Sequence, residues 1–225
     1  MRLKPHENLN DSRYEYAAKL VAKFATDHPD AVVFDIGTGE APMRPAVEKA
    51  KLKWRGFDLF PRAPDVVRWD LTKEPAPTDG AKADFVLLLE VIEHVFDVNA
   101  AMTNIVAAMK PGATLLITVP NPHWSRARTY HFFLGTPAAF SQHDLDVNHH
   151  VFTPLRHVME KLVTDHGLTI ERYVTLNGKH AEWPDLSLSP KYVGKLLECL
   201  LRKGMEAVDK SARGNTYALV LRRAA

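Results

Sequence analysis

The segment AVVFDIGTG, residues 31–39, constrains this chain more than any other. Its apolar run fits a strand buried on both faces of a parallel sheet. The run ends at Asp35 and turns through Gly37-Thr38-Gly39. Two glycines two positions apart let the backbone turn tightly and approach a ligand with no Cβ in the way. Further apolar runs follow at residues 54–58, 66–69, 84–89, 114–119, 169–176 and 217–221. Between them lie helical patterns. Residues 13–25, within an N-terminal helical segment over 12–30, place Tyr16, Leu20 and Phe24 on one face. Residues 45–52 begin at Pro45, which suits a first helical position. Residues 100–109 stop at Lys-Pro-Gly-Ala, and 153–166 end at Gly167.

Strands alternating with helices predict an α/β, Rossmann-like fold: a mostly parallel sheet with helices on both faces. Ligands of such sheets sit at the carboxyl ends of the strands. Asp35, Asp58, Asp70, Glu90 and Asn121 occupy those ends. Asp58 lies 19 residues after Gly39, and a carboxylate there can accept both hydroxyl hydrogens of a ribose. Asp70 at the next strand end suits an adenine amino group. A dinucleotide-binding turn would carry a third glycine at position 42, where this chain has Pro42. That departure, with the absence of a tyrosine-x-x-x-lysine pair in the central region, argues against a nicotinamide dehydrogenase.

The stretches VVFDIGTGEA, WRGFDLF, VVRWDL, DFVLLLEVIEHV, MKPGATLLITVPN and HHVFTPLRHVMEKLVTDHGLTIE run in order over residues 31–172. Together they resemble the class I S-adenosylmethionine-dependent methyltransferases. The resemblance implies a single methyltransferase domain over residues 1–225, with a seven-stranded sheet whose last strand, 217–221, is antiparallel. It implies that Gly37 and Gly39 lie under the methionine part of S-adenosylmethionine and that Asp35 orients the turn or the amino group. Asp58 with Leu59 would hold the ribose, Asp70 with Trp69 or Leu71 the adenine, and Glu90 would border the sulfonium. Ala41 departs from a glycine frequent in the family, an added methyl for which tolerance is expected.

The element Glu90-Val91-Ile92-Glu93-His94 places two carboxylates and an imidazole on one face if it opens a helical turn. It is similar to the E-x-x-E-H element of ubiquinone-pathway O-methyltransferases and to the metal site of small-RNA 2′-O-methyltransferases. A divalent metal such as magnesium would then be held by Glu90, Glu93, His94 and His150. The alternative is that Glu90 serves the cofactor pocket while Glu93 and His94 hold the loop. Methyl transfer to oxygen or nitrogen also needs a base, and a near-neutral imidazole suits it. Of 11 histidines, five fall within residues 123–150. His149 and His150 are the first candidates and His94 the second.

Two insertions remain. Residues 121–150, rich in aromatics and histidines, read as a substrate lid. Residues 178–214 contain a helical apolar stripe from Tyr192 to Val208, suited to packing on the domain, to a homodimer contact or to a peripheral membrane contact. The net charge of +2 argues against nucleic acid as partner. One cysteine, Cys199, excludes an internal disulfide, and no apolar run reaches the ~18 residues that span a bilayer. The expectation is a cytoplasmic enzyme, monomer or homodimer, methylating O or N of a small molecule. An RNA 2′-O-methyltransferase and a non-catalytic cofactor-binding protein are the alternatives.

Overall fold

The computed structural model describes residues 7–178, 181–182 and 190–225, with the side chains of 190–192 left aside. In chain order the elements are β1 (Glu7–Asn8), α1 (Arg13–Asp27), β2 (Val32–Ile36), α2 (Arg44–Lys49), β3 (Lys53–Asp58), β4 (Val66–Arg68), β5 (Ala83–Leu89) and α3 (Val98–Ala107). There follow β6 (Met109–Pro120), α4 (Ser125–Leu134), α5 (Arg156–Asp165), β7 (Leu168–Leu176), α6 (Pro190–Val208) and β8 (Thr216–Arg223). The strands form one sheet in the order β1-β7-β8-β6-β5-β2-β3-β4. Only β8 runs antiparallel to its neighbours, β6 and β7. The expected Rossmann-like sheet with an antiparallel last strand is present, with eight strands where the sequence predicts seven.

The extra strand is β1, in a segment whose polar sequence reads as loose. Two residues carry no period, so the strand exists only through its partner. It pairs parallel with β7. The Leu9 N–H donates to Thr175 at 2.9 Å, and Arg172 bonds Glu7 at 2.7 Å. These contacts set the start of α1. There Ser12 caps Glu15 and Glu15 caps Ser12 in return.

Alternation along the strands divides the core between the two sheet faces. Val33, Phe85, Leu87, Leu116 and Val220 pack under α1 and α2, whose Tyr16, Val21 and Val47 are buried there. Phe34, Phe57, Val86, Leu88 and Ile117 face α3 and α5, meeting Met102, Ile105, Met159 and Val163. Helix boundaries differ from expectation by a few residues. α3 starts at Val98 because Asp97 caps it, accepting from the Ala100 N–H at 2.9 Å. β6 begins as early as Met109 and takes in the Lys-Pro-Gly run, which the sequence marks only as a stop. Among the described residues no helix is long and apolar enough to cross a membrane.

Of the expected 178–214 insertion, residues 179–180 and 183–189 lie outside the described residues; the rest supplies α6 and a short turn before β8. That turn ends at Gly214 with φ +75°, where an added Cβ would run into the Leu176 backbone. Asn121, one of the strand-end polar residues, is buried and structural. Its side-chain amide donates to Ser211 and Gly214, both at 2.9 Å, tying the end of β6 to the lead of β8. Gly214→Ala therefore combines a left-handed alanine with a backbone clash. It should lower the unfolding free energy by about 2 kcal/mol or more, read from urea denaturation midpoints.

Candidate active site

The carboxyl ends of β2 and β5 open onto a cleft of about 510 Å³. Gly37, Thr38, Gly39, Glu40 and Pro42 line one side. Leu89, Glu90, Glu93, His94 and His150 line another, and Arg13 and Tyr14 close it from α1. Gly37 and Gly39 take φ of +69° and +55°, so both use the freedom that the sequence pattern suggests. The turn is bonded to its neighbour strand. The N–H groups of Gly37 and Thr38 both donate to the Phe57 carbonyl, at 2.8 and 3.2 Å. The Asp35 carboxylate accepts from the Thr38 hydroxyl at 2.6 Å and from the Trp54 indole at 3.1 Å. Asp35 thus orients the turn, and burial raises its pKa. Asp58 accepts from the N–H groups of Gly39 and Phe60, each at 2.8 Å. Ala41, in the position of a frequent glycine, takes φ +59°. The alanine holds the left-handed backbone that a glycine adopts without cost.

The remaining expected cofactor residues are placed otherwise. Leu59 is partly exposed beside Asp58, and Leu71 is in the core. Asp70 folds back on its own turn, accepting from the Thr72 hydroxyl at 2.8 Å and its N–H at 3.1 Å. Those bonds hold its pKa below the usual carboxylate range. Neither Asp70 nor Leu71 lines the cleft.

Glu90 follows β5 with φ +57°, a strained conformation for a side-chain-bearing residue. A short 3-10 turn, Ile92–His94, comes next. The Glu93 carbonyl accepts from the N–H groups of Val151 and Phe152 at 2.9 and 3.0 Å. This backbone link draws the Asn-His-His-Val-Phe segment to the cleft and sets the His94 and His150 rings 4.9 Å apart. His150 Nδ1 lies 2.6 Å from the Ala139 carbonyl, which can only accept, so Nδ1 carries the proton and Nε2 is left as a lone pair in the neutral ring. His149 ends the preceding turn with φ +56°, exposed, and its ring does not line the cleft. Its backbone, with that of Asn148, instead meets the His94 ring. Of the three expected bases, the structure brings His94 and His150 to the cleft.

Electrostatics single out the carboxylates. Burial pushes the Glu90 pKa up to about 7, against the pull of Arg13. Glu93 is also raised well above the usual carboxylate range, by burial and then by the Glu90 charge. Oε1 of Glu90 and both oxygens of Glu93 are buried without a hydrogen-bond partner, as is Nε of Arg13. Burial also lowers the His94 pKa, keeping the ring neutral. The ligand atoms of Glu93, His94 and His150 lie within 4.8 Å of one another. That trio fits a metal ion, whereas Glu90, expected as a fourth ligand, stands outside the group. With two imidazoles in the set, a borderline cation such as zinc suits it better than magnesium, which prefers oxygen.

Sequence reasoning missed Arg13 and Tyr14. Nothing local marks them, because their position over the cleft follows from the β1–β7 pairing 160 or so residues away in the chain. The expected lid also divides. Its first half is α4, which packs on α6, and among the described residues only His150 from its second half lines the cleft.

The residues from 9 to 173 match a family described as Methyltransferase domain. The chain belongs to this family. A 151-residue stretch is 27% identical to the ubiquinone biosynthesis O-methyltransferase of Xanthomonas campestris pv. campestris (strain B100). The match takes in 61% of this chain and 56% of the relative, so the chain spans little more than half the length of the curated relatives it matches. Among solved structures, a SAM dependent methyltransferase from Archaeoglobus fulgidus superposes with TM-score 0.58 at 14% identity, over 94% of this chain and 95% of that one. A putative sarcosine dimethylglycine methyltransferase from Galdieria sulphuraria gives 0.58 at 13%, over 93% and 86%. At such identities the superpositions establish the fold.

Because the Glu90 carboxyl is harder to ionise folded than unfolded, the folded state binds the extra proton between pH 4.5 and about 7. Stability therefore falls as pH rises through that window. Glu90→Gln should flatten this slope, equal to the parent at acid pH and more stable above neutrality, as read from thermal midpoints across the range.

Proposed function

We propose that this chain transfers a methyl group from S-adenosylmethionine to an oxygen or nitrogen of a small-molecule acceptor. The observation that carries the reading is the glycine turn, fixed by Asp35 and Asp58, opening onto the same cleft as two imidazoles. Membership of the methyltransferase-domain family supports it. The cofactor supplies the electrophilic methyl carbon and its own leaving group. What the chain supplies is position, exclusion of water and a place for the acceptor's proton.

Gly37 and Gly39 offer a close approach under the methionine portion. Arg13, cationic and with a buried unpartnered Nε, would hold its carboxylate. Asp58 keeps lone pairs free beside its two backbone bonds and would accept from the ribose hydroxyls. Glu90, at the far side of the turn, would face the sulfonium. That positive charge would favour the ionised carboxylate, which burial otherwise disfavours. His150 Nε2, or His94, would take the proton as the acceptor's lone pair displaces sulfur from the methyl carbon. Asp70, which accepts from Thr72 through Oδ1 alone, keeps lone pairs on Oδ2 and would accept from the adenine amino group.

A second reading adds a metal to the same reaction, and the unpartnered Glu93 oxygens beside two imidazoles favour it. Glu93, His94 and His150 would hold a divalent cation, whose chemistry is to lower the pKa of an acceptor hydroxyl. An RNA acceptor is not favoured, because Arg13 is the one cation among the described residues lining the cleft.

Calorimetric titration tests the first reading. S-adenosylmethionine and S-adenosylhomocysteine should bind and NAD should not, and Asp58→Ala should weaken both adenosyl compounds by about tenfold or more. Binding of NAD alone, or an unchanged Asp58→Ala, overturns it. For the metal, the purified chain should take up one equivalent of zinc, and Glu93→Gln should abolish the uptake. No uptake by the parent chain leaves His150 and His94 as bases acting without metal.

A further inference from the structure

α4 and α6 carry an apolar surface apart from the cleft. Phe132, Phe133 and Leu134, the last three residues of α4, are 80%, 63% and 69% exposed. Along α6, Val193, Leu197, Leu200, Leu201 and Val208 are each about half exposed or more. Their spacing puts them on one face of the helix. The other face of α6 is already covered. Cys199 and Glu206 are buried, Glu206 accepts from the Ser125 hydroxyl at 2.7 Å, and the Arg202 guanidinium lies 5.7 Å from the Trp124 ring. The exposed stripe is therefore not the side that α4 needs. Two neighbouring helices each present bulky apolar side chains to the outside, more than a water-facing surface ordinarily shows.

Charge indicates what meets them. α4 contains Arg126 and Arg128 and no acid, and residues 98–143 hold no aspartate or glutamate at all. Residues 190–210 hold Lys191, Lys195, Arg202, Lys203 and Lys210 against Glu198, Glu206 and Asp209. The two helices and the turn after α6 thus carry a net +4, in a chain whose net charge is +2. The acids among them are engaged. Glu206 is buried, Asp209 accepts from Arg128 at 2.5 Å, and Glu198 lies 3.8 Å from Arg202. A second copy seated on this face would set like charge against like charge. An anionic lipid surface would take the apolar side chains into its interface and attract the lysines around them.

We propose that the end of α4 and the exposed face of α6 form a docking surface for an anionic lipid membrane. This goes beyond the methyltransferase reading and stands on different residues, so either can fail alone.

The test is flotation of the purified full chain with phosphatidylcholine vesicles, with and without phosphatidylglycerol. The chain should float with the anionic vesicles about tenfold more than with the neutral ones, and added salt should release it. Phe132→Asp with Phe133→Asp, and separately Leu197→Asp with Leu201→Asp, should each abolish most of the binding while S-adenosylmethionine titrations are unchanged. Should either pair fail to fold, Lys195→Glu with Lys210→Glu, both exposed, should lower anionic-vesicle binding with no loss of thermal stability. Absence of binding to anionic vesicles overturns the proposal. So does a dimer in sedimentation velocity that Leu197→Asp with Leu201→Asp converts to monomer, which would assign the face to a second copy.

Discussion

The bond between the end of β2 and the end of β3 is the constraint on which the site depends. One carbonyl, that of Phe57, receives the N–H groups of both Gly37 and Thr38, and the next residue, Asp58, receives that of Gly39. Three consecutive donors are thereby committed to one strand end. The turn has no freedom to swing away from the cleft, and Asp58 is held beside it by the same bonds. The parallel register of β2 with β3 and β5 places Asp35 opposite Gly56 and Leu87. That register delivers the turn and the Glu90 corner to the same sheet edge.

Part of the chain's left-handed backbone lies around this edge. Ala41, Glu90 and His149 all hold left-handed backbones, each costing on the order of 1 kcal/mol relative to glycine. Three carboxylate oxygens and a guanidinium nitrogen are buried without hydrogen bonds. Such groups are expensive to bury, and the rest of the sheet, packed on both faces, absorbs the cost. Glu90, Glu93 and Arg13 meet at one cleft.

The strands and the glycine turn were legible because their signals are local: apolar runs, a period of two and glycines where φ is positive. Asp35, Gly37, Gly39 and Glu90 could be read from position at strand ends, and the structure puts them at the turn or the cleft. Asp70 is less legible, since its sequence shows a strand-end acid equally well whether it faces a ligand or accepts from Thr72. The choice between His149 and His150 is likewise invisible in two adjacent histidines. A single left-handed residue at 149 turns one ring outward and sends the other toward His94. Arg13 and Tyr14 belong to the least legible class. Their helix is readable, including the Ser12-x-x-Glu15 cap, but its placement rests on pairing between the two ends of the chain.

The two insertions show how sequence order conceals a spatial unit. Residues 121–150 read as one lid, yet Gly135, with φ +79°, divides them. Before it, α4 is committed to α6 through Ser125, Trp124 and Arg128. After it, the chain returns to the Glu93 carbonyl and presents His150. The half that reaches the cleft is anchored by backbone bonds to the Glu93 turn, and the half that leaves it joins α6, far onward in the chain. An insertion that would otherwise cover the site thus serves it with one histidine and gives the rest of its apolar surface to the outside of the molecule. Substrate access and the outer apolar face can then vary separately, because no described side chain of α4 or α6 lines the cleft.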